Sequence, residues 1–231
     1  YPASNNWAVR FGSGIGVTSA VSTSTPVGDV NKAKFVDWDG DGKTDVITSV
    51  GGTYYYSRST GNGFETAVSL GIPDSTAVAH VKFADVDGNG LSDWVYANAA
   101  NAVFVRRHLG DRPDLASSFS DGFGIAQTPH YVPISQGSYT KRSDAVFPYQ
   151  DFQGALYVVD SVTASTGNGG TYTQTYSYEG AQMHRQGRGF MGFYLQKMQD
   201  SRDSLYRRDI RRQDFPYAGM IKETELRQSN D

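Results

Sequence analysis

The sequence predicts an all-β protein built from antiparallel strands. Three observations carry that expectation: 13% of the 231 residues are aromatic, 26 are glycine, and short runs alternate apolar with polar residues between turn residues. β-Branched and aromatic side chains suit a pleated surface, and glycine suits the turns between strands. Alternation places strands over 33–37, 44–50, 52–58, 78–85, 92–97 and 101–107. The Gly-rich stretches 12–16 and 61–63 read as turns between them. Residues 155–166 and 171–178 flank Gly167-Asn168-Gly169-Gly170, the pattern of a hairpin. Further strands are expected over 190–199, 204–213 and 219–227. Within 202–212 the apolar residues Leu205 and Ile210 make no helical stripe, so this Arg-rich run is read as strand.

Residues 1–108 hold an internal repeat with an offset of 48 residues, from Asp37 to Asp85. A period of that size with short strands suggests propeller-blade-like units of roughly 40–50 residues each. Residues 109–128 are turn-rich and read as a linker into a second antiparallel β-sheet region, 129–231. A closed propeller needs about four or more blades. Two repeats therefore leave two arrangements open: upstream blades in a larger parent, or repeats packed open against the C-terminal sheet.

Composition removes several function classes. With no cysteine there is no disulfide, thiolate metal site or cysteine nucleophile. No run approaches the roughly 20 apolar residues that a membrane helix needs. The chain starts at Tyr1 without a signal-like segment and is read as a piece of something longer. The net charge of −3 is unevenly spread: Asp37–Asp45 and Asp85–Asp93 sum to −6, leaving +3 elsewhere. Arg185, Arg188, Lys197, Arg202, Arg207, Arg208, Arg211 and Arg212 gather late, with Asp200, Asp203 and Asp209 among them. That mixture is read as a solvated strand face, with a docking surface for a polyanion or acidic partner as the other reading.

The strongest chemical signal is the pattern Asp-x-Asp-Gly-Asp-Gly-x-x-Asp at Asp37, Asp39, Asp41 and Asp45, which recurs as Asp85, Asp87, Asn89 and Asp93. Calcium takes six to eight oxygens, and alternate residues of a tight loop can aim three side chains inward. The seventh residue, Lys43 or Leu91, then offers its backbone carbonyl, while Asp45 and Asp93 close the shell from the next strand. Gly40, Gly42, Gly88 and Gly90 permit the positive φ that such a loop needs. An EF-hand begins the same way, but its twelfth residue is a bidentate Glu, where Thr48 or Tyr96 stands here. Two calcium sites are expected, with magnesium less suited to a cage made of protein oxygens.

Phe35-Val-Asp-Trp-Asp-Gly-Asp-Gly-Lys-Thr-Asp-Val and Phe83-Ala-Asp-Val-Asp-Gly-Asn-Gly-Leu-Ser-Asp-Trp resemble FG-GAP/VCBS repeats, the calcium-binding blades of integrin-type β-propellers. The resemblance covers about residues 5–108 and implies that the eight Asp and Asn side chains above are calcium ligands. Asn89 in place of the commoner Asp implies a weaker second site. Segments 121–133, 187–193 and 213–220 resemble the region after such blades in Rhs/YD-repeat proteins and in the B components of insecticidal Tc toxins. That likeness covers about residues 117–226 and implies a scaffold segment beside a β-shell that encloses a separate toxin.

No nucleophile elbow, metalloprotease motif, P-loop or dinucleotide fingerprint is present. Gly12-Ser-Gly-Ile-Gly is a turn without a βαβ setting, His80, His108, His130 and His184 are scattered, and Tyr54, Tyr55 and Tyr56 alternate across a strand. The sequence thus points to a non-catalytic, calcium-stabilised scaffold segment of a secreted or surface-delivered bacterial toxin-like protein. Its expected partners are other parts of a larger chain or toxin complex, with no nucleic acid and no membrane span. The alternative is a calcium-dependent adhesion module that recognises a protein or glycan receptor.

Overall fold

A computed structural model describes the chain except residues 1, 4, 5, 13, 27, 76–78, 111, 113 and 229–231. Ser13 in the first Gly-rich stretch, Val78 at the start of an expected strand, and Asp111 and Pro113 in the expected linker lie outside the described residues. The chain divides into two compact units, residues 1–86 with 91–114 and residues 87–90 with 115–231.

The first unit contains β1 (Pro2–Ala3), β2 (Asn6–Val9), β3 (Val21–Pro26), β4 (Lys34–Val36), β5 (Asp45–Val50), β6 (Thr53–Ser57), β7 (Val68–Pro73), β8 (Ala79–Ala84), β9 (Asp93–Ala97) and β10 (Val103–Arg106). They form antiparallel sheets in the orders β1-β2-β3, β4-β5-β6-β7 and β8-β9-β10. The all-β expectation holds, and the six strands expected here appear with ends moved by a residue or two. No closed barrel or propeller forms among the described residues; the repeats are a four-stranded and a three-stranded open sheet. β7 escaped the sequence reading because Gly71, at φ 64°, and Pro73 interrupt its alternation. β5 is buried from Asp45 to Ser49, covered on both faces rather than half-exposed.

The core of this unit gathers Ile47, Tyr54, Ile72 and Val81 around Trp94, which is 0% exposed. Trp94 meets Tyr54 at 4.8 Å, Phe83 at 5.1 Å and Trp38 at 6.4 Å between ring centroids, all edge to face. The edges of these rings thus hold both Asp loops' flanking strands in one cluster.

The second unit contains β11 (Phe119–Ser120), β12 (Ala126–Pro133), β13 (Tyr139–Thr140), β14 (Tyr149–Asp151), β15 (Tyr157–Ser165), β16 (Thr171–Glu179), β17 (Gln182–His184), β18 (Gly189–Phe190), β19 (Leu195–Asp200), β20 (Leu205–Arg211) and β21 (Ile221–Gln228). One large sheet runs β11-β12-β15-β16-β19-β20-β21, with β13 parallel to the end of β16, and a small sheet runs β14-β17-β18. The expected hairpin is β15–β16, closing at Ser165 opposite Thr171. The single strand expected over 190–199 is two, split where Gly192 takes φ 83°. β11 and the start of β12 lie inside the span read as linker. Pro129 and Pro133 hide β12 from a pattern search, yet β11 pairs only with Ala126 and Gln127, so most of β12 is edge-like, where proline is tolerated.

The late basic run lies on strand β20 and its flanks, and its charges are met locally. Arg202 grips Asp200 at 2.8 and 2.7 Å, Arg207 reaches Asp209 at 2.8 Å and Arg208 reaches Glu225 across the β20–β21 pair at 2.7 Å. Lys197 lies 3.7 Å over Tyr206 and Arg202 3.6 Å over Tyr172. An aromatic cluster of Tyr139, Tyr178, Phe152, Phe190 and Phe193 supplies the apolar packing between the large and small sheets of this unit. Burial pushes the Tyr178 hydroxyl up to about 12, and it donates to the Val159 carbonyl at 2.7 Å.

Two outcomes follow from this packing. Trp94→Ala should cost about 3–5 kcal/mol, read as a lowered urea midpoint for the first unit, because a fully buried indole leaves a cavity. The Arg202 hydrogen bonds hold the Asp200 carboxyl well below the usual carboxylate range. Its stabilisation is therefore complete above the unfolded value near about pH 4 and is lost as pH falls below it. Urea titrations at pH 7 and pH 3 should show Asp200→Asn losing less stability between the two than the parent chain does.

Candidate metal centre

The first loop joins β4 to β5, and its carboxylates build it from inside. Asp37 accepts from the Gly40 N–H at 2.9 Å and the Gly42 N–H at 3.0 Å. Asp39 accepts from the Asp41 N–H at 3.1 Å, and Asp41 from the Lys43 N–H at 2.9 Å. These are successive Asx turns, in which each side chain stands in for a backbone acceptor. Gly40 and Gly42 take φ of 76° and 83°, the left-handed region that was expected of them.

Asp45 ends the loop and is fully buried. It accepts from the Trp38 N–H at 2.9 Å and from the Ser59 N–H at 2.7 Å. One carboxylate thus ties the loop's start to the exit of β6, while burial pushes its carboxyl above the usual range.

Asp37, Asp39 and Asp45 each bring one carboxylate oxygen within 4.8 Å of the others. Asp41 is not in that group. Its second oxygen accepts from Lys43 Nζ at 2.6 Å and Arg58 Nη2 at 3.0 Å, and Arg58 Nε also donates to Asp39 at 2.6 Å. Lys43 holds the Asp41 carboxyl below its ordinary value. Sequence reasoning assigned Lys43 only a carbonyl and did not find Arg58, whose one signal is its place at the end of Tyr54-Tyr-Tyr-Ser-Arg.

The second loop joins β8 to β9 and repeats the scheme. Asp93, again fully buried, accepts from the Val86 N–H and the His108 N–H, both at 2.8 Å. Asp85, Asp87 and Asp93 likewise bring three oxygens within 4.8 Å. Gly88 and Gly90 have φ of 78° and 80°. Asn89 is buried where the first loop has Asp41, and its N–H donates to Asp87 at 3.2 Å. Leu91, at Lys43's position, is buried as well. The second oxygen of Asp87 is buried with no hydrogen-bond partner among the described residues.

Each group offers carboxylate oxygen and no nitrogen or sulfur, a donor set that suits a hard cation such as calcium. The buried, unpaired oxygen of Asp87 fits the same requirement, because an unmet buried carboxylate oxygen is costly. Of the histidines, His108 stacks on Trp38 at 4.3 Å, His130 pairs with Asp160 at 2.6 Å and His184 packs on Tyr149.

Fold and loops together define a sheet-built β-protein whose polar chemistry is concentrated in two repeated carboxylate turns. Within that class the chain belongs to the family described as the insecticide toxin TcdB middle/N-terminal region, which it matches over residues 56–213. The match takes in the second loop and the C-terminal sheet as far as β20, so it reaches further toward the N-terminus than the Tc likeness expected over 117–226 and stops short of β21. The chain is similar in fold to the Photorhabdus luminescens Tc holotoxin pore with a mutated TccC3, at TM-score 0.66 and 16% identity over 87% of this chain and 10% of that one. It is similarly related to TcdB2-TccC3-Cdc42, at 0.63 and 15% over 87% and 11%. TcdB2-TccC3 without its hypervariable C-terminal region gives 0.62 and 16% over 87% and 11%. The chain spans about a tenth of the length of these solved chains. No curated protein matches it.

Removing the closing carboxylate should destabilise without reference to any ion. In chelator-containing buffer Asp45→Ala is expected to cost about 2–4 kcal/mol, because two buried N–H donors lose their acceptor. Asp41→Ala, which loses two half-exposed cations and one loop N–H, should cost less, about 1 kcal/mol. Equal urea midpoints for the two variants would contradict this account of the loop.

Proposed function

We propose that the chain is a non-catalytic structural segment, part of the shell or scaffold, of a secreted bacterial toxin of the Tc type. Family membership over 56–213 is the observation that carries this reading. A fold of open, strand-rich sheets supports it. The partners it implies are other parts of a larger toxin polypeptide or complex, with the C-terminal sheet serving as the Rhs/YD-like portion.

In this reading both Asp loops bind calcium, as FG-GAP/VCBS-like turns would. The four-stranded β4–β7 meander suits a blade of that type. Asp37, Asp39 and Asp45 would hold one ion, and Asp85, Asp87 and Asp93, with Asn89 beside them, the other. The sequence pattern adds the carbonyls of Lys43 and Leu91, and Asp41, which Lys43 and Arg58 hold in this structure. A bound calcium supplies positive charge that offsets the mutual repulsion of the converging carboxylates.

A second reading, a calcium-dependent adhesion module, is favoured by one feature. A groove of about 490 Å³ in the first unit is lined by Trp7, Arg10, Phe11, Phe35 and Phe64, among others. Calcium-dependent capture on a glycan array would select it over the scaffold reading.

Calorimetry on chelator-stripped protein tests the calcium sites, carried to the roughly 0.1–1 mM range of extracellular calcium modules. Two sites selective for calcium over magnesium are expected, with melting temperature rising as calcium is added. Asp39→Ala should remove the first site and Asp87→Ala the second. No heat and an unchanged melting temperature across the titration would end the calcium reading.

A further inference from the structure

The two repeats correspond strand for strand, and the correspondence exposes what the second one lacks. Ile47 pairs with Tyr56 on β6, and its counterpart Val95 pairs with Val105 on β10. The N–H of Ser59 and that of His108 reach the closing Asp of their respective loops. Tyr54, Tyr55, Tyr56 and Arg58 therefore correspond to Val103, Phe104, Val105 and Arg107.

In the first repeat β7 covers the outer edge of β6, with Tyr54 opposite Ile72, Tyr55 opposite Ser69 and Tyr56 opposite Val68. In the second, β10 ends its sheet, and no strand pairs with its outer edge among the described residues. Tyr54 is 3% exposed, whereas Val103 is 70% exposed and Phe104 and Val105 are 43% exposed each. A bare edge rich in β-branched and aromatic residues is one that proteins normally cover or interrupt with charge.

Charge indicates what belongs there. Just before β7, Glu65 lies 3.9 Å from Arg58, and its N–H donates to the Arg58 carbonyl at 2.8 Å. Arg107, the counterpart of Arg58, is exposed and meets no carboxylate among the described residues. The solved chains of similar fold are about eight to nine times as long, so other strands are available to a chain of that kind.

We propose that β10 receives a fourth, antiparallel strand from outside these 231 residues, supplied by the longer shell polypeptide. The incoming strand carries an acidic residue near its N-terminal end, facing Arg107, and apolar residues opposite Val105 and Val103. Main-chain hydrogen bonds supply the pairing, and the alternating side chains with the flanking acid supply register. This rests on the reading of the chain as part of a larger shell, but not on calcium.

The test places p-benzoylphenylalanine in place of Phe104 in the complete shell polypeptide, with the same residue in place of Tyr55 as control, and maps photo-adducts by mass spectrometry. The control should label β7. The Phe104 position should label an extended segment outside the 231 residues that has an acidic residue before its apolar run. Arg107→Glu should cut that yield at least about tenfold, the loss expected when about 1.4 kcal/mol of pairing is removed. Adducts confined to the 231 residues, adducts to a second copy, or none at all while the control labels β7 would overturn the proposal. Each of those outcomes leaves the shell reading standing, because that reading is judged by whether the complete polypeptide assembles with its toxin.

Discussion

The first unit depends on one arrangement used twice: a fully buried carboxylate that closes a loop and accepts two backbone N–H groups. Asp45 and Asp93 each join the first turn of their loop to the exit of the strand two positions on. Buried charge is tolerable only when hydrogen-bonded, and here the donors are main-chain groups set by strand pairing. The carboxylate therefore fixes the loop against the sheet, and the next residue, Val46 or Trp94, enters the core. Loop geometry and core packing are consequently one constraint.

The two loops balance their remaining charge differently. Arg58 bridges Asp39 and Asp41 while Lys43 caps Asp41, so the first loop carries its own counter-charges. The second replaces Asp41 with Asn89 and Lys43 with Leu91, removing one negative and one positive charge together. Arg58 occupies one oxygen of Asp39, whereas the second oxygen of Asp87 is buried without a hydrogen-bond partner among the described residues.

The second unit is held together by other means. Its large sheet carries ion pairs and cations over aromatic rings, with a compact aromatic cluster where the small sheet packs. Individually such pairs contribute little at a surface. Arranged along paired strands, with Asp200 also bonded to Gln174 and Asp209 to Thr224, they align neighbours and balance the basic run that the sequence reads as a solvated strand face.

By itself the sequence determined the all-β class, the 48-residue repeat, most strand positions and the two Asp loops with their glycines. All of these rest on short-range rules: period-two alternation, turn chemistry and the positive φ that glycine accepts. Tertiary structure alone decided that Asp41 turns away from Asp37, Asp39 and Asp45 toward Arg58, because Arg58 lies 17 residues on and reaches it only once β5 and β6 pair. It also decided that β7 and β12 are strands despite their prolines, and that β10 ends its sheet among the described residues. Edge and centre differ by which strand lies alongside, a long-range fact that local periodicity does not encode.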